Sequence, residues 1–72
     1  MSSKPTVDIV IPVLNEQAAI PVCIEALFEY LKMETSYDWR IVVVDNGSTD
    51  DTFQVTTDIS KINSNVSCIK LS

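Results

Sequence analysis

Ile41-Val42-Val43-Val44-Asp45-Asn46-Gly47-Ser48-Thr49-Asp50-Asp51 is the stretch on which the reading of this chain turns. Four consecutive β-branched residues with no polar face form a run too short for a helix, and they read as a strand buried on both sides, as strands of a parallel sheet are. The run stops at an acid. Asp45 and Asn46 lead into the one glycine of the chain, and Ser48 to Asp51 supply side-chain oxygens able to cap the free N–H groups of a following helix. Strand, turn and helix start therefore follow in immediate succession. In open α/β sheets ligands bind beyond the carboxyl ends of such strands, which puts Asp45 at a ligand-facing rim.

Working towards the N-terminus, Val7 to Val13 forms a first strand, apolar on both faces, with regular pairing expected to end at Pro12 because proline gives up a ladder hydrogen bond. Leu14, Asn15, Glu16 and Gln17 then form a loop at the same end of the sheet as Asp45. Asn15 reads equally as a turn or helix-cap residue and as a site residue, and Glu16 has a plain alternative as a solvated acid in a first helical turn. A helix is expected from Ala18 to Lys32, with Pro21 in its first turn and Ile20, Ile24, Leu27, Phe28 and Leu31 as the stripe that packs on the sheet. Tyr37 and Trp39 are expected to cover the far edge of the sheet.

Towards the C-terminus, a second helix should run from Thr49 or Asp50 to Ile62, burying a weaker stripe of Phe53, Val55, Ile59 and Ile62 that is diluted by Thr52, Thr56 and Thr57. Asn63 to Asn65 is a turn, and Val66 to Leu71 a third strand with one wetter face. Right-handed crossovers turn β-α-β-α-β into three parallel strands in spatial order 3-2-1, half of a doubly wound α/β fold. The apolar first strand then lies at an open edge, which natural proteins avoid leaving bare. The expectation is that the natural protein continues past Ser72 with a strand beside residues 8 to 13, and that the 72-residue piece by itself associates through that edge.

Composition narrows the partners. The 72 residues carry a net charge of -5, no histidine and 46% hydrophobic residues against 21% charged, a globular balance that argues against nucleic acid or an anionic membrane surface as direct partner. Asp8 and Pro12 interrupt the N-terminal apolar run after the polar lead Met1 to Pro5, so neither a signal peptide nor a membrane span is read, and the cytoplasm is the expected compartment. Cys23 and Cys68 are read as buried reduced thiols, with a disulfide as the lesser alternative. Without histidine there is no Ser-His or Cys-His pair. A dinucleotide-binding or Walker loop fails for want of glycines, and a phosphoaspartate site fails because Gly47 occupies the general-acid position of D-x-D-x-T.

An ionised Asp45 offers only acceptors, which suits the N–H edge of a nucleobase or paired ribose hydroxyls and not a phosphate. The plain alternative is a carboxylate that caps its own turn, and for Ser48, Thr49 and Asp50 capping is the leading reading. Glu16 with Asp50 or Asp51 makes the rim acidic, so phosphates would need a metal or another site.

Ile9-Val10-Ile11-Pro12-Val13-Leu14-Asn15-Glu16, followed by Ile41 to Asp51, resembles the N-terminal signature of family 2 glycosyltransferases of the GT-A fold, and within them the dolichyl- or polyprenyl-phosphate sugar synthases. The resemblance implies a Rossmann-like, incomplete donor domain over residues 1–72 that binds the nucleoside of a UDP- or GDP-sugar for transfer to an acceptor such as polyprenyl phosphate. Position by position it implies Pro12, Leu14 and Glu16 lining the nucleoside pocket, Glu16 towards ribose or base, and Asp45 accepting from the base. Asn46 stands where an aspartate is commonest, and Gly47 keeps the turn close to the ligand. The family's metal-binding D-x-D and acceptor residues lie further along, so neither catalytic nor metal-binding residues are expected in this chain. Mg²⁺ or Mn²⁺ is expected in the full-length enzyme, and the parent could sit at the cytoplasmic face of a membrane. The rival function is a stand-alone, non-catalytic nucleotide-binding or interaction module of the same topology.

Overall fold

The computed structural model describes residues 4–71; the first three residues of the polar lead lie outside them. Strands β1 (Thr6–Val13), β2 (Asp38–Asp45) and β3 (Val66–Lys70) alternate with helices α1 (Ala19–Leu31) and α2 (Thr52–Ile62). All pairing is parallel and the order is β1-β2-β3, the 3-2-1 arrangement read from the sequence. Three cross-strand rows face the helices: Ile9, Ile41 and Val66; Ile11, Val43 and Cys68; Val13, Asp45 and Lys70.

Ile41 and Val43 are fully buried beneath Ile20, Ile24 and Leu31 of α1, with Leu27 and Phe28 at the margin of the same cluster. Trp39 closes the far end against Phe28, their ring centroids 5.6 Å apart and tilted by 47°. The expectation that β2 is buried on both sides is corrected: Val42 and Val44 are only half-buried. Both crossovers run in one direction and both helices lie on the same face of the sheet, packed on one core, as two crossovers of the same hand require. The other face carries Val10, 59% exposed, and Ile69, 50% exposed, beside Val42 and Val44.

Pairing does not end at Pro12 as expected; Pro12 aligns with Val44 and Val13 with Asp45. Asp38 N–H donates to Pro5 O, and Asn46 N–H to Val13 O, each at 2.9 Å, so the odd-numbered residues of β1 direct their peptide groups at β2. Peptide groups alternate sides along a strand, which turns the nitrogen of Pro12 to the open edge, where no ladder bond is lost.

Helix α2 begins at Thr52, later than expected, because the amides of Thr49 to Asp51 are engaged elsewhere; its first turn is closed by Val55 N–H to Asp51 O at 2.9 Å. Its buried stripe is also corrected. Thr52 and Thr56 are fully buried with Val55 and Ile59 beside them, whereas Ile62 is 83% exposed and Phe53 lies partly outward. The spacing 52, 55, 56, 59 is the inward face of a 3.6-residue period. Threonine is tolerated there because its hydroxyl is satisfied locally: Thr56 Oγ1 donates to Thr52 O at 2.8 Å. Both cysteines are free, but Cys23 is exposed and Cys68 half-buried. Cys23 faces the open β1 edge, where no strand covers it.

Two outcomes follow from this packing. Ile24→Ala removes a core side chain and is expected to cost about 2–5 kcal/mol, whereas Val22→Ala, on the 68% exposed side of the same helix, should stay within about 0.5 kcal/mol; urea unfolding followed by circular dichroism measures both. The Thr52 hydroxyl and amide, bonded to Asp50, hold the Asp50 carboxyl below the ordinary aspartate range. What Asp50 contributes to the α2 start is therefore complete above the ordinary aspartate pKa and lost as pH falls through the lowered one. A carboxyl-carbon NMR titration should place its midpoint below that of an unpaired aspartate.

Candidate functional site

Parallel pairing brings the chain out of β1 and β2 at the same end, so residues 14–18 and 46–51 form adjacent loops there. They are joined at the base by Asn46 N–H to Val13 O, and β3 adds Leu71 N–H to Asp45 O at 2.8 Å. Above that base there are no ladder bonds, and the two loops satisfy each other's amides with side chains. Asn15 N–H donates to Ser48 Oγ at 2.9 Å, Glu16 N–H to Thr52 Oγ1 at 2.9 Å and Gln17 N–H to Asp50 Oδ2 at 3.4 Å. In return Thr49 N–H donates to Asn15 Oδ1 at 2.8 Å, Asp50 N–H to the same oxygen at 3.4 Å, and Asp51 N–H to Gln17 Oε1 at 3.0 Å. Thr52 Oγ1 also donates to Asp50 Oδ1.

Two backbone conformations make this possible. Asn15 has φ +54°, a left-handed conformation that asparagine tolerates better than most residues. Gly47 has φ +90°; an added Cβ would meet Leu71 O only at 3.8 Å, so it is the dihedral angle and not lack of space that calls for glycine.

The expectation that Asp45 reads a base is corrected by its placement. Its side chain lies on the helix-covered face and is fully buried. Oδ1 accepts Ser48 N–H at 2.9 Å, and Oδ2 has no partner. Asp45 is spent on its own turn because, at the last position of β2, the alternation of the strand points it under the loop. An unpaired buried carboxyl oxygen costs about 1–3 kcal/mol or more, which the turn it anchors has to offset. Burial first, and then the charge of Asp45, push the Cys68 thiol upward, partly opposed by a hydrogen bond with Thr56. The residue the turn does present is Asn46, which is exposed.

The other expected residues divide in two. Pro12 and Glu16 line a shallow, largely apolar cavity of about 200 Å³ with Ile11, Val13, Ala19, Ile20 and Cys23, at the open edge of β1 against α1. Leu14, Asn46 and Gly47 lie outside it, exposed at the rim. Small-molecule sites typically occupy about 300–1,000 Å³, so this cavity cannot by itself enclose a sugar nucleotide. The rim is acidic through Glu16, Asp50 and Asp51, with Lys70 as the cation nearby, its ammonium 5.1 Å from the centre of the Phe53 ring. Among the described residues no three carboxylate or thiol side chains converge on one point, and the free oxygen of Asp45 is sealed below the turn.

Thr52 and Gln17 were not singled out from the sequence. Thr52 read as a poor helix former and Gln17 as loop; the available signal was two side-chain amides, Asn15 and Gln17, flanking Glu16, each with an oxygen able to accept from an amide of the facing loop.

Comparison with known proteins gives the family of the chain. The glycosyl transferase family 2 profile matches residues 8–72. Over 53 residues, 74% of this chain, 37% are identical to a PGL/p-HBAD biosynthesis glycosyltransferase of Mycobacterium bovis, covering 19% of that protein. Over 64 residues, 83% of this chain, 33% are identical to a dolichyl-phosphate beta-glucosyltransferase of Trichomonas vaginalis, covering 20% of it. The chain thus spans about a fifth of the length of these curated relatives. No helix among the described residues is long and apolar enough to cross a membrane. With the profile running through both rim loops and all but the first residues of β1, this chain belongs to glycosyl transferase family 2.

Proposed function

We propose that this chain forms the nucleoside-binding part of a glycosyltransferase donor site, taking the base and ribose of a UDP- or GDP-sugar at the carboxyl ends of β1 and β2. The observation that carries the reading is the pair of exposed side chains, Asn46 and Glu16, held on two loops whose backbones are tied to one another. Asn46 takes the role that burial denies to Asp45. Uracil and guanine both present a ring N–H beside a carbonyl oxygen, and a side-chain amide can accept from the first while donating to the second. Glu16 offers acceptors to ribose hydroxyls. Pro12 and Leu14 supply apolar walls, and Gly47 allows the turn between base and ribose contacts.

The acidic rim leaves the diphosphate and any Mg²⁺ or Mn²⁺ to residues outside 4–71, and the chemical step with them, so the 72-residue chain by itself binds without transferring. For the whole protein we infer transfer of a sugar to an acceptor; a polyprenyl phosphate acceptor, and with it work at the cytoplasmic face of a membrane, draws its support from the name of one relative. The apolar face of Val10, Val42, Val44 and Ile69, next to the unpaired even-numbered peptide groups of β1, supports self-association of the isolated chain.

Calorimetry with UDP- and GDP-sugars tests the donor reading. Saturable binding is expected, weakened about fivefold or more in Asn46→Ala, since one or two hydrogen bonds are lost, and in Glu16→Ala by a similar factor; unchanged affinity in both variants would remove the assignment. Light scattering should show the 72-residue chain growing beyond monomer mass as concentration rises, and a charged substitution at the bare face, Val10→Lys, should reverse it. A concentration-independent monomer would contradict the association.

A further inference from the structure

Asn15 binds across the gap in both directions, as Gln17 does, but its partners Ser48 and Thr49 lie next to Asn46, and nothing in the donor reading assigns it a task. Its backbone N–H donates to Ser48 Oγ, while its side-chain oxygen collects Thr49 N–H at 2.8 Å and Asp50 N–H at 3.4 Å, with the Thr49 hydroxyl also at 3.4 Å. This is the arrangement of a helix cap supplied from another loop: the amides ahead of α2 are satisfied by a residue more than thirty positions earlier. No backbone–backbone hydrogen bond joins residues 14–17 to 47–51 among the described residues, so the relative position of the two loops above their base rests on side chains.

We infer that Asn15 is a positioning residue for the donor site: it does not touch the nucleoside, and it sets the place of Asn46 relative to Glu16 by holding residues 48–50 against the β1 loop. The inference rests on the donor reading above. Two features give it weight beyond ordinary loop bonding. Asn15 is held at φ +54°, a conformation open to few residues besides glycine and asparagine, so the position selects a residue that can also carry the side-chain acceptor. The segment it holds is also the one whose Ser48 N–H is the sole partner of the buried Asp45 carboxyl, so slack in this loop would be felt directly beneath Asn46. Gln17 and Thr52 extend the same splint on the far side of Glu16, whereas Asn15 is the residue of the β1 loop bonded to Ser48 and Thr49, next to Asn46.

The test uses two variants that keep the backbone conformation. Asn15→Gly accepts positive φ and deletes the acceptor; Asn15→Asp keeps an acceptor for both amides. Amide hydrogen exchange is followed at Thr49 and Asp50, with Ile41 and Val43 as core controls, and affinity is read from NMR titration with uridine and guanosine, neutral probes on which an added charge has little lever. The expected result is faster exchange at Thr49 and Asp50 in Asn15→Gly, by about tenfold, unchanged exchange at Ile41 and Val43, nucleoside affinity lowered about fivefold, and recovery of both in Asn15→Asp. A merely structural residue would slow or speed the core amides too, and a direct ligand contact would lower affinity without moving loop exchange; either pattern overturns the proposal. Nucleoside binding by the unaltered chain with equal affinity in Asn15→Gly overturns it alone, whereas no binding of either nucleoside by the unaltered chain overturns the donor reading and this proposal together.

Discussion

Peptide N–H groups that leave a parallel sheet side by side have lost their ladder partners and still have to be satisfied. In this protein that requirement falls on the amides of residues 15–17 and 49–51, and it is met by side chains of the opposite loop rather than by backbone or by each loop's own residues. The consequence reaches the site. Glu16 is pinned through its amide, leaving its carboxyl group out of that network; Asn46 is carried on a turn anchored below by Asp45 and to the side by Asn15. The shape of the rim is thus a by-product of hydrogen-bond satisfaction, and the residues that define it are mostly not those that would meet a ligand.

The same economy shapes the second helix. Thr52 accepts from the first loop and donates to Asp50, and Thr56 returns its hydroxyl to the turn above. Two threonines that weaken α2 as an apolar helix are what allow it to sit under a polar rim with no unmet hydroxyl. The exception lies one residue below the turn, at Asp45 Oδ2. A buried oxygen without a partner is tolerated there because its twin anchors the loop, and because β2 must deliver its last side chain to the helix-covered face.

Packing and function pull apart at the sheet's other face. Both helices pack on one side, and among the described residues the other side keeps Val10 and Ile69 exposed beside the half-buried Val42 and Val44. The family 2 relatives are about five times the matched length, and an apolar face next to an unpaired strand edge is a surface that proteins commonly cover.

The sequence alone determined the element order, the parallel topology, the α1 stripe and the family, because each rests on local periodicity or on residues contiguous along the chain: a four-residue β-branched run can hardly be anything but a strand, and the two signature stretches are short and unbroken. Which of the neighbouring residues Asp45 and Asn46 is presented and which is buried was decided only in three dimensions. Asp45 and Asn46 differ by one position, and a strand sends successive side chains to opposite faces, so the assignment depended on which face the helices took. The cross-loop partners of Asn15, Gln17 and Thr52 lie more than thirty residues away in the chain, a separation that no spacing rule encodes and that arises only when the register of β1 against β2 sets Val13 beside Asp45.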